Sequence, residues 1–175
     1  MARADEPTSR RVSGARTIEL PRWPLASLAS AARGKSRKPY RVGRSSTGLG
    51  LFATAEIAKG AFIVEYTGRR ISTAQAARLE ARGARYLYEI NRRWTVDGAS
   101  RRNIARYANH SCRPNAESDV VRGKVILRAI KTIKPGDEIT YDYGEEYFEL
   151  FLKPVGCKCA KCRAQRRKRR DAKTR

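Results

Sequence analysis

Asn109-His110-Ser111-Cys112, read together with Tyr141-Asp142-Tyr143-Gly144 about thirty residues later and with Cys157, Cys159 and Cys162 near the end, decides how this chain is understood. Asn109 offers both a donor and an acceptor, as a purine edge requires, while His110 does so only as a neutral ring with one tautomer selected for it. Tyr141 and Tyr143 alternate with Thr140 and Asp142, so on a strand both phenols project from the same face.

The sulfur chemistry is concentrated. The four cysteines are Cys112, Cys157, Cys159 and Cys162. Three within six residues are too crowded for ordinary disulfide loops, whereas thiolates spaced by a turn suit a tetrahedral zinc ion at about 2.3 Å per Zn–S bond. The fourth ligand is either Cys112 or the single histidine, His110. If Cys112 shares one ion with the C-terminal triplet, the segment after Phe151 folds back over Asn109–Cys112 and walls a site there. Such an ion is a staple and not a catalyst.

Of the formal charge of +22 over 175 residues, much sits at the ends: residues 1–41 hold ten Lys/Arg against three acids, and residues 163–175 hold eight against one. Neither end is apolar enough to offset its ordering entropy, so both are expected as mobile basic arms around one domain. Arg166-Arg167-Lys168-Arg169-Arg170 is a block of like charge suited to phosphate backbones or an import receptor. Contacts of that kind with nucleic acid are sequence-independent and weaken steeply with salt. The chain contains no apolar run of about 18 residues, so no membrane-spanning helix is expected. Arg10-Arg11 is followed by Glu19, Pro21, Arg22 and Pro24 where an export signal needs an apolar stretch.

Between the arms, Tyr40-Arg41-Val42, Leu51-Phe52-Ala53 and Ala61 to Tyr66 are short apolar or β-branched runs punctuated by glycine, the pattern of strands and turns. Ser72 and Gln75 make a capping box for a helix that continues until Gly83. Tyr86 to Ile90 and Trp94 to Val96 read as paired strands, Asn103 to Asn109 as two helical turns, and Val120-Val121 with Val125 to Leu127 as a hairpin. Ile139 to Tyr143 reads as a strand launched from Lys134-Pro135-Gly136-Asp137. Many short strands with few helices define a β-rich α+β domain.

In order, Gly48-Leu49-Gly50, Glu65-Tyr66-Thr67-Gly68, Tyr86-Leu87-Tyr88, Asn109 to Cys112, Glu138 to Tyr143 and the cysteine triplet resemble the core of the SET-domain protein-lysine methyltransferase family. The likeness is to its compact members: there is no cysteine-rich pre-SET region, and the tail spacing is C-x-C-x2-C where the family more often has C-x-C-x4-C. The resemblance implies small curved sheets with a knot-like core over residues 40–150, a zinc-stapled post-SET segment over 151–163, and basic ends at 1–39 and 164–175. It implies an S-adenosylmethionine site at Thr47, Gly48, Leu49, Gly50, Tyr86, Asn109, His110 and Lys158, with the substrate lysine entering from the opposite face. Tyr143 falls on the catalytic tyrosine and Tyr141 on the position that sets the number of methyls, which implies mono- or dimethylation. Zinc on Cys112, Cys157, Cys159 and Cys162 is the structural metal so implied.

Methyl transfer needs an uncharged amine, and holding lysine neutral near pH 7 costs roughly 4–5 kcal/mol unless the site helps. A narrow aromatic channel beside a cationic cofactor disfavours the ammonium through desolvation and like charge. Asp137, Glu138, Asp142, Glu145, Glu146 and Glu149 form an acidic stretch able to steer a basic peptide, so the expected substrate is a histone tail or a bacterial histone-like protein. The expected location is chromatin in a eukaryote, or the nucleoid or a host nucleus for a bacterial protein. The competing reading is a catalytically silent, zinc-containing nucleic-acid-binding protein of the same shape, which has no need of Tyr143 or of Asn109 beside His110.

Overall fold

The computed structural model describes residues 38–174; the expected arm over residues 1–39, including Arg10-Arg11, falls outside them except at its last two positions. In chain order the strands are β1 (Tyr40–Ser45), β2 (Gly48–Ala53), β3 (Phe62–Tyr66), β4 (Arg69–Ser72), β5 (Leu87–Asn91), β6 (Trp94–Asp97), β7 (Asn109–His110), β8 (Ala116–Val121), β9 (Lys124–Ala129) and β10 (Glu138–Tyr141). The helices are α1 (Thr73–Glu80), α2 (Glu145–Tyr147) and α3 (Ala160–Lys173), with a 3-10 turn at Ile104–Tyr107 and a π-helical turn at Phe148–Leu152.

The strands make three small sheets, ordered β1-β2-β10-β7, β3-β9-β8 and β4-β6-β5. Each strand is short because its alternating pattern is short. Along β9, Val125, Leu127 and Ala129 are buried while Lys124 is exposed, so one face serves the core and the other leans outward. Leu51 from the first sheet, Leu127 from the second, and Ile133 and Ile139 are fully enclosed and join the sheets into one core. Burying each such side chain contributes about 1.5–3 kcal/mol.

Helix α1 starts where its sequence says it must. Ser72 Oγ accepts from the Gln75 backbone N–H while Gln75 Oε1 accepts from the Ser72 N–H, so two otherwise orphaned donors are satisfied. It ends at Ala81, and Gly83 at φ +88° turns the chain out. The expected hairpin β8–β9 forms, turning at Arg122-Gly123 with Lys124 already paired to Val121.

Three expectations give way to other interactions. Residues 103–109 make a single 3-10 turn, not two α-turns: the Asn103 side chain is taken up by Gly98 O and the Thr67 N–H, and Asn109 has joined a sheet. The strand expected to reach Tyr143 ends at Tyr141, because the Tyr143 N–H is given to His110 Nδ1 and Asp142 Oδ1 accepts from Gly144 N. The C-terminal segment expected to be an unstructured arm is helix α3, whose N-cap Cys159 and first-turn Cys162 both belong to a cluster of four sulfurs.

Candidate functional site

The site begins with a short parallel pairing. β7 lies beside β10 with Asn109 opposite Thr140 and His110 opposite Tyr141, which brings the two distant motifs into one sheet. Two residues of ladder are too few to hold a register, and the buried Asn115 completes it. Asn115 Nδ2 donates to Glu138 O at 2.8 Å, Asn115 Oδ1 accepts from Thr140 N at 2.8 Å, and Asn115 N donates to Thr140 O at 3.2 Å. The Ser111 N–H adds a bond to Tyr141 O at 3.0 Å.

Both amide hydrogens of Asn109 are committed, to Leu49 O at 3.0 Å and to Glu138 Oε1 at 2.7 Å. Two acceptors on one side fix the amide's orientation and leave its oxygen for a ligand. Residue 50 must be glycine for this contact: a Cβ there would lie 2.6 Å from Glu138 Oε1.

His110 Nδ1 accepts from the Tyr143 N–H at 3.3 Å, so its proton resides on Nε2, which faces Cys112 Sγ at 3.3 Å. Burial lowers the imidazole pKa and Asp142 only partly opposes this, so the ring is neutral and the 3.6 Å approach to Asp142 Oδ1 is a polar contact, not an ion pair. The ring packs edge-on against Tyr143, with centroids 5.5 Å apart.

Two cavities meet at Tyr143. The larger, ≈ 610 Å³, is bounded by Thr47, Leu49, Tyr86, Asn109, Tyr141 and Tyr143 together with Arg85, Arg101 and Arg106. The smaller, ≈ 490 Å³, lies between α1 and the Gly144–Phe151 segment and carries Glu80, Glu89, Asp142, Glu145 and Glu146. Leu87, Tyr88, Tyr143 and Tyr147 line both and form the partition. The first cavity has basic side chains and no acid; the second has acids and no base. Tyr143 contacts Tyr141 and Tyr147 with centroids 4.8 and 5.0 Å away, and its hydroxyl donates to Ala108 O at 2.9 Å. Burial, with the neighbouring phenols, pushes the hydroxyls of Tyr141 and Tyr143 well above their ordinary range, so both are neutral donors at any physiological pH.

The four sulfurs gather. Cys112, Cys157, Cys159 and Cys162 present Sγ atoms all within 4.8 Å of one another, with Cys112 at 3.8 Å from Cys157 and 3.7 Å from Cys162. A tetrahedron of about 2.3 Å metal–sulfur bonds has edges of about 3.8 Å, so this donor set fits one tetrahedral thiophilic ion. Cys112, and not His110, is the group that gathers with the C-terminal triplet, and His110 Nε2 faces its sulfur. Burial and neighbouring sulfurs raise the Cys112 thiol, while for Cys159 the backbone N–H groups of Cys162 and Cys112 outweigh burial and bring it down to about 7.

Of the residues expected at the site, Thr47, Leu49, Tyr86, Asn109, Tyr141 and Tyr143 surround the larger cavity. Gly48 and Gly50 shape the strand beneath Leu49, His110 sits between Tyr143 and the thiols, and Lys158 is exposed between two buried cysteines; none of these four lines the cavity. Sequence reasoning passed over Asn115, the arginines of the larger cavity, Tyr147, and the grip of Glu138 on Asn109. The alternation of Glu138 with Thr140 signals a shared face, but nothing local to Asn115 announces its role.

The SET domain family model matches residues 48–144, and the chain belongs to that family. A histone-lysine N-methyltransferase, H3 lysine-4 specific, of Emericella nidulans is 32% identical over 120 residues, which are 62% of this chain and 10% of that protein. The histone-lysine N-methyltransferase trithorax of Drosophila virilis is 36% identical over 125 residues, 66% of this chain and 3% of its own length. The chain therefore spans only a small part of these relatives. Among solved structures, the Chaetomium thermophilum polycomb repressive complex 2 in an autoinhibited conformation bound to S-adenosylmethionine superposes with a TM-score of 0.55 at 33% identity, covering 61% of this chain and 15% of that one.

Replacing Asn115 with alanine removes two side-chain hydrogen bonds and strands the half-buried Thr140 N–H and Glu138 carbonyl, while the backbone bond from residue 115 to Thr140 O remains. The expected loss is about 2–5 kcal/mol in urea unfolding, because each stranded group costs about 1–3 kcal/mol. Asn115→Asp, which keeps the acceptor for Thr140, loses less; equal losses would mean the side chain merely fills space.

Proposed function

We propose that the chain is an S-adenosylmethionine-dependent protein-lysine N-methyltransferase acting on basic protein tails, of histones or of bacterial histone-like proteins. The observation that carries this is the pair of cavities of opposite charge separated by Tyr143. A cofactor with a carboxylate end suits the cavity of Arg85, Arg101 and Arg106; a lysine flanked by other cations suits the groove of Glu80, Glu89, Glu145 and Glu146. The methyl donor, when bound, supplies a sulfonium methyl group.

The chain's own residues would then do four things. Asn109, its amide hydrogens held by Leu49 and Glu138, turns its oxygen towards a ligand. The faces of neutral tyrosines offer a cation a favourable lining without a counter-charge that would quench it. The same rings exclude water, so a lysine entering between them sheds its proton to solvent first. Tyr143, donating to Ala108 O, keeps its oxygen lone pairs to accept an amine N–H and aim the nitrogen lone pair. We further assign zinc to the four thiolates as a structural ion, the tetrahedral S4 set being the common one for that metal. Gly48, Gly50, His110 and Lys158 remain candidates for cofactor contact through backbone or stem atoms. Chromatin, or a nucleoid, is the setting that such a substrate implies, with the basic ends as a nucleic-acid anchor.

Because both phenols stay protonated, the pH profile of transfer is set by the substrate amine. The rate of labelled methyl transfer to a basic peptide should rise about tenfold per pH unit up to about pH 9, still below the lysine pKa of about 10.4. Tyr143→Phe should lose about 100-fold, the cost of one preorganised hydroxyl, without weakening cofactor binding by calorimetry. Absence of both cofactor heat and label would leave the silent binding module as the reading.

The hydroxyl of Tyr141 occupies room that further methyl groups would need. Mass spectrometry of the product peptide should show wild type stopping at one or two methyls and Tyr141→Phe proceeding further; trimethylation by wild type would remove this assignment.

Elemental analysis should find one zinc per chain. Chelation should release the segment from residue 157 onward, seen as lost helical signal at 222 nm with the sheets retained.

A further inference from the structure

Helix α3 draws little support from the rest of the domain. Beyond Cys162 each described residue of it is exposed, so it buries no face against the domain. Its first turn contains Lys161 and no acid, which opposes the helix dipole, and its fourteen residues carry eight Lys/Arg against the single Asp171. Arg163–Arg166–Arg170, Arg163–Arg167, Arg166–Arg169 and Arg169–Lys173 are like charges three or four apart, each pair destabilising. An isolated helix of this length is marginal even without such repulsion. Two features favour it: straight-chain residues of good propensity and an N-terminus held where Cys159 and Cys162 join the sulfur cluster.

We propose that α3 is a duplex-DNA-docking element: the sulfur cluster aims a self-repelling basic helix away from the domain, and a DNA backbone supplies the counter-charge that completes it. Charge complementarity makes the argument. Basic side chains surround the helix, so it can meet both walls of a groove at once. At about 10–12 Å across and about 21 Å long it matches the roughly 12 Å major groove of B-DNA, whereas the deep, narrow major groove of A-form RNA does not admit it. Five of the eight cations are arginine, whose planar fork pairs bidentately with phosphate. A membrane surface is disfavoured because interfacial helices need an apolar face, and here only Ala160, Ala164, Ala172 and the engaged Cys162 are apolar. The proposal deepens the nucleic-acid anchor of the proposed function, yet it is independent of methyl transfer, since binding is measured with no methyl donor present.

The test uses the full metal-replete chain and a variant with Arg166, Arg167, Arg169 and Arg170 changed to glutamine, which keeps helix propensity. Fluorescence anisotropy with a labelled 20-base-pair DNA duplex gives affinity against salt. Loss of three to four phosphate contacts lowers the log–log salt slope by about three units, so from roughly 50 to 200 mM salt the wild type should lose about 40- to 150-fold more affinity than the variant. DNA should also slow amide exchange across α3 in the wild type and not in the variant, while transfer to a free peptide stays unchanged. An unchanged slope in the variant overturns the proposal. So does parity of duplex RNA, anionic vesicles or polyglutamate with DNA at equal salt.

Discussion

A two-residue parallel ladder, Asn109-His110 against Thr140-Tyr141, is the constraint from which the rest of the site follows. It is too short to stand alone, and Asn115 holds it by filling a backbone donor and a backbone acceptor on β10 with one side chain. Once the register is fixed, three consequences come without further cost. Asn109 faces Glu138 across the sheet, His110 lies beside the Tyr143 N–H, and Cys112 emerges where Cys157 and Cys162 reach it. A slip of one residue would turn each of these side chains to the face opposite its present one and scatter all three.

The charge distribution resolves an apparent contradiction. A chain of net charge +22 should repel the basic substrate proposed for it. Around the two cavities, however, the cations and acids are segregated on either side of a tyrosine partition, so a cation approaching the acidic groove meets a local field opposite to that of the molecule as a whole. The partition is itself chemically quiet. Tyr143 within it and Tyr141 beside it are too deeply buried to ionise, which makes them steady hydrogen-bonding groups instead of bases.

Much of this was legible beforehand, for identifiable reasons. Alternation and capping are local, so β9 and the Ser72–Gln75 box could be read directly, and the spacing of the cysteines pointed to their meeting. The sequence order of the motifs located Tyr141, Tyr143 and Asn109 without any knowledge of geometry. What stayed hidden depends on partners far along the chain. Asn115 looks like a loop asparagine until β10 lies beside it, and Arg85, Arg101 and Arg106 look like surface charge until a cavity closes around them. The short strand at β10 and the 3-10 turn at Ile104–Tyr107 were overestimated because Tyr143 N–H and the Asn103 side chain are spent on tertiary bonds. Helix α3 was missed because composition reports only the self-repulsion and not the anchored first turn.

On the proposed function, ligands of two kinds enter from opposite sides of Tyr143. A crystal structure with S-adenosylhomocysteine and a basic lysine peptide tests it most directly. The nucleoside ligand is expected beside Asn109 and Arg106, the peptide's cations against Glu145 and Glu146, and the target amine at the Tyr143 hydroxyl. Both ligands in a single cavity, or a target lysine remote from Tyr143, would contradict it.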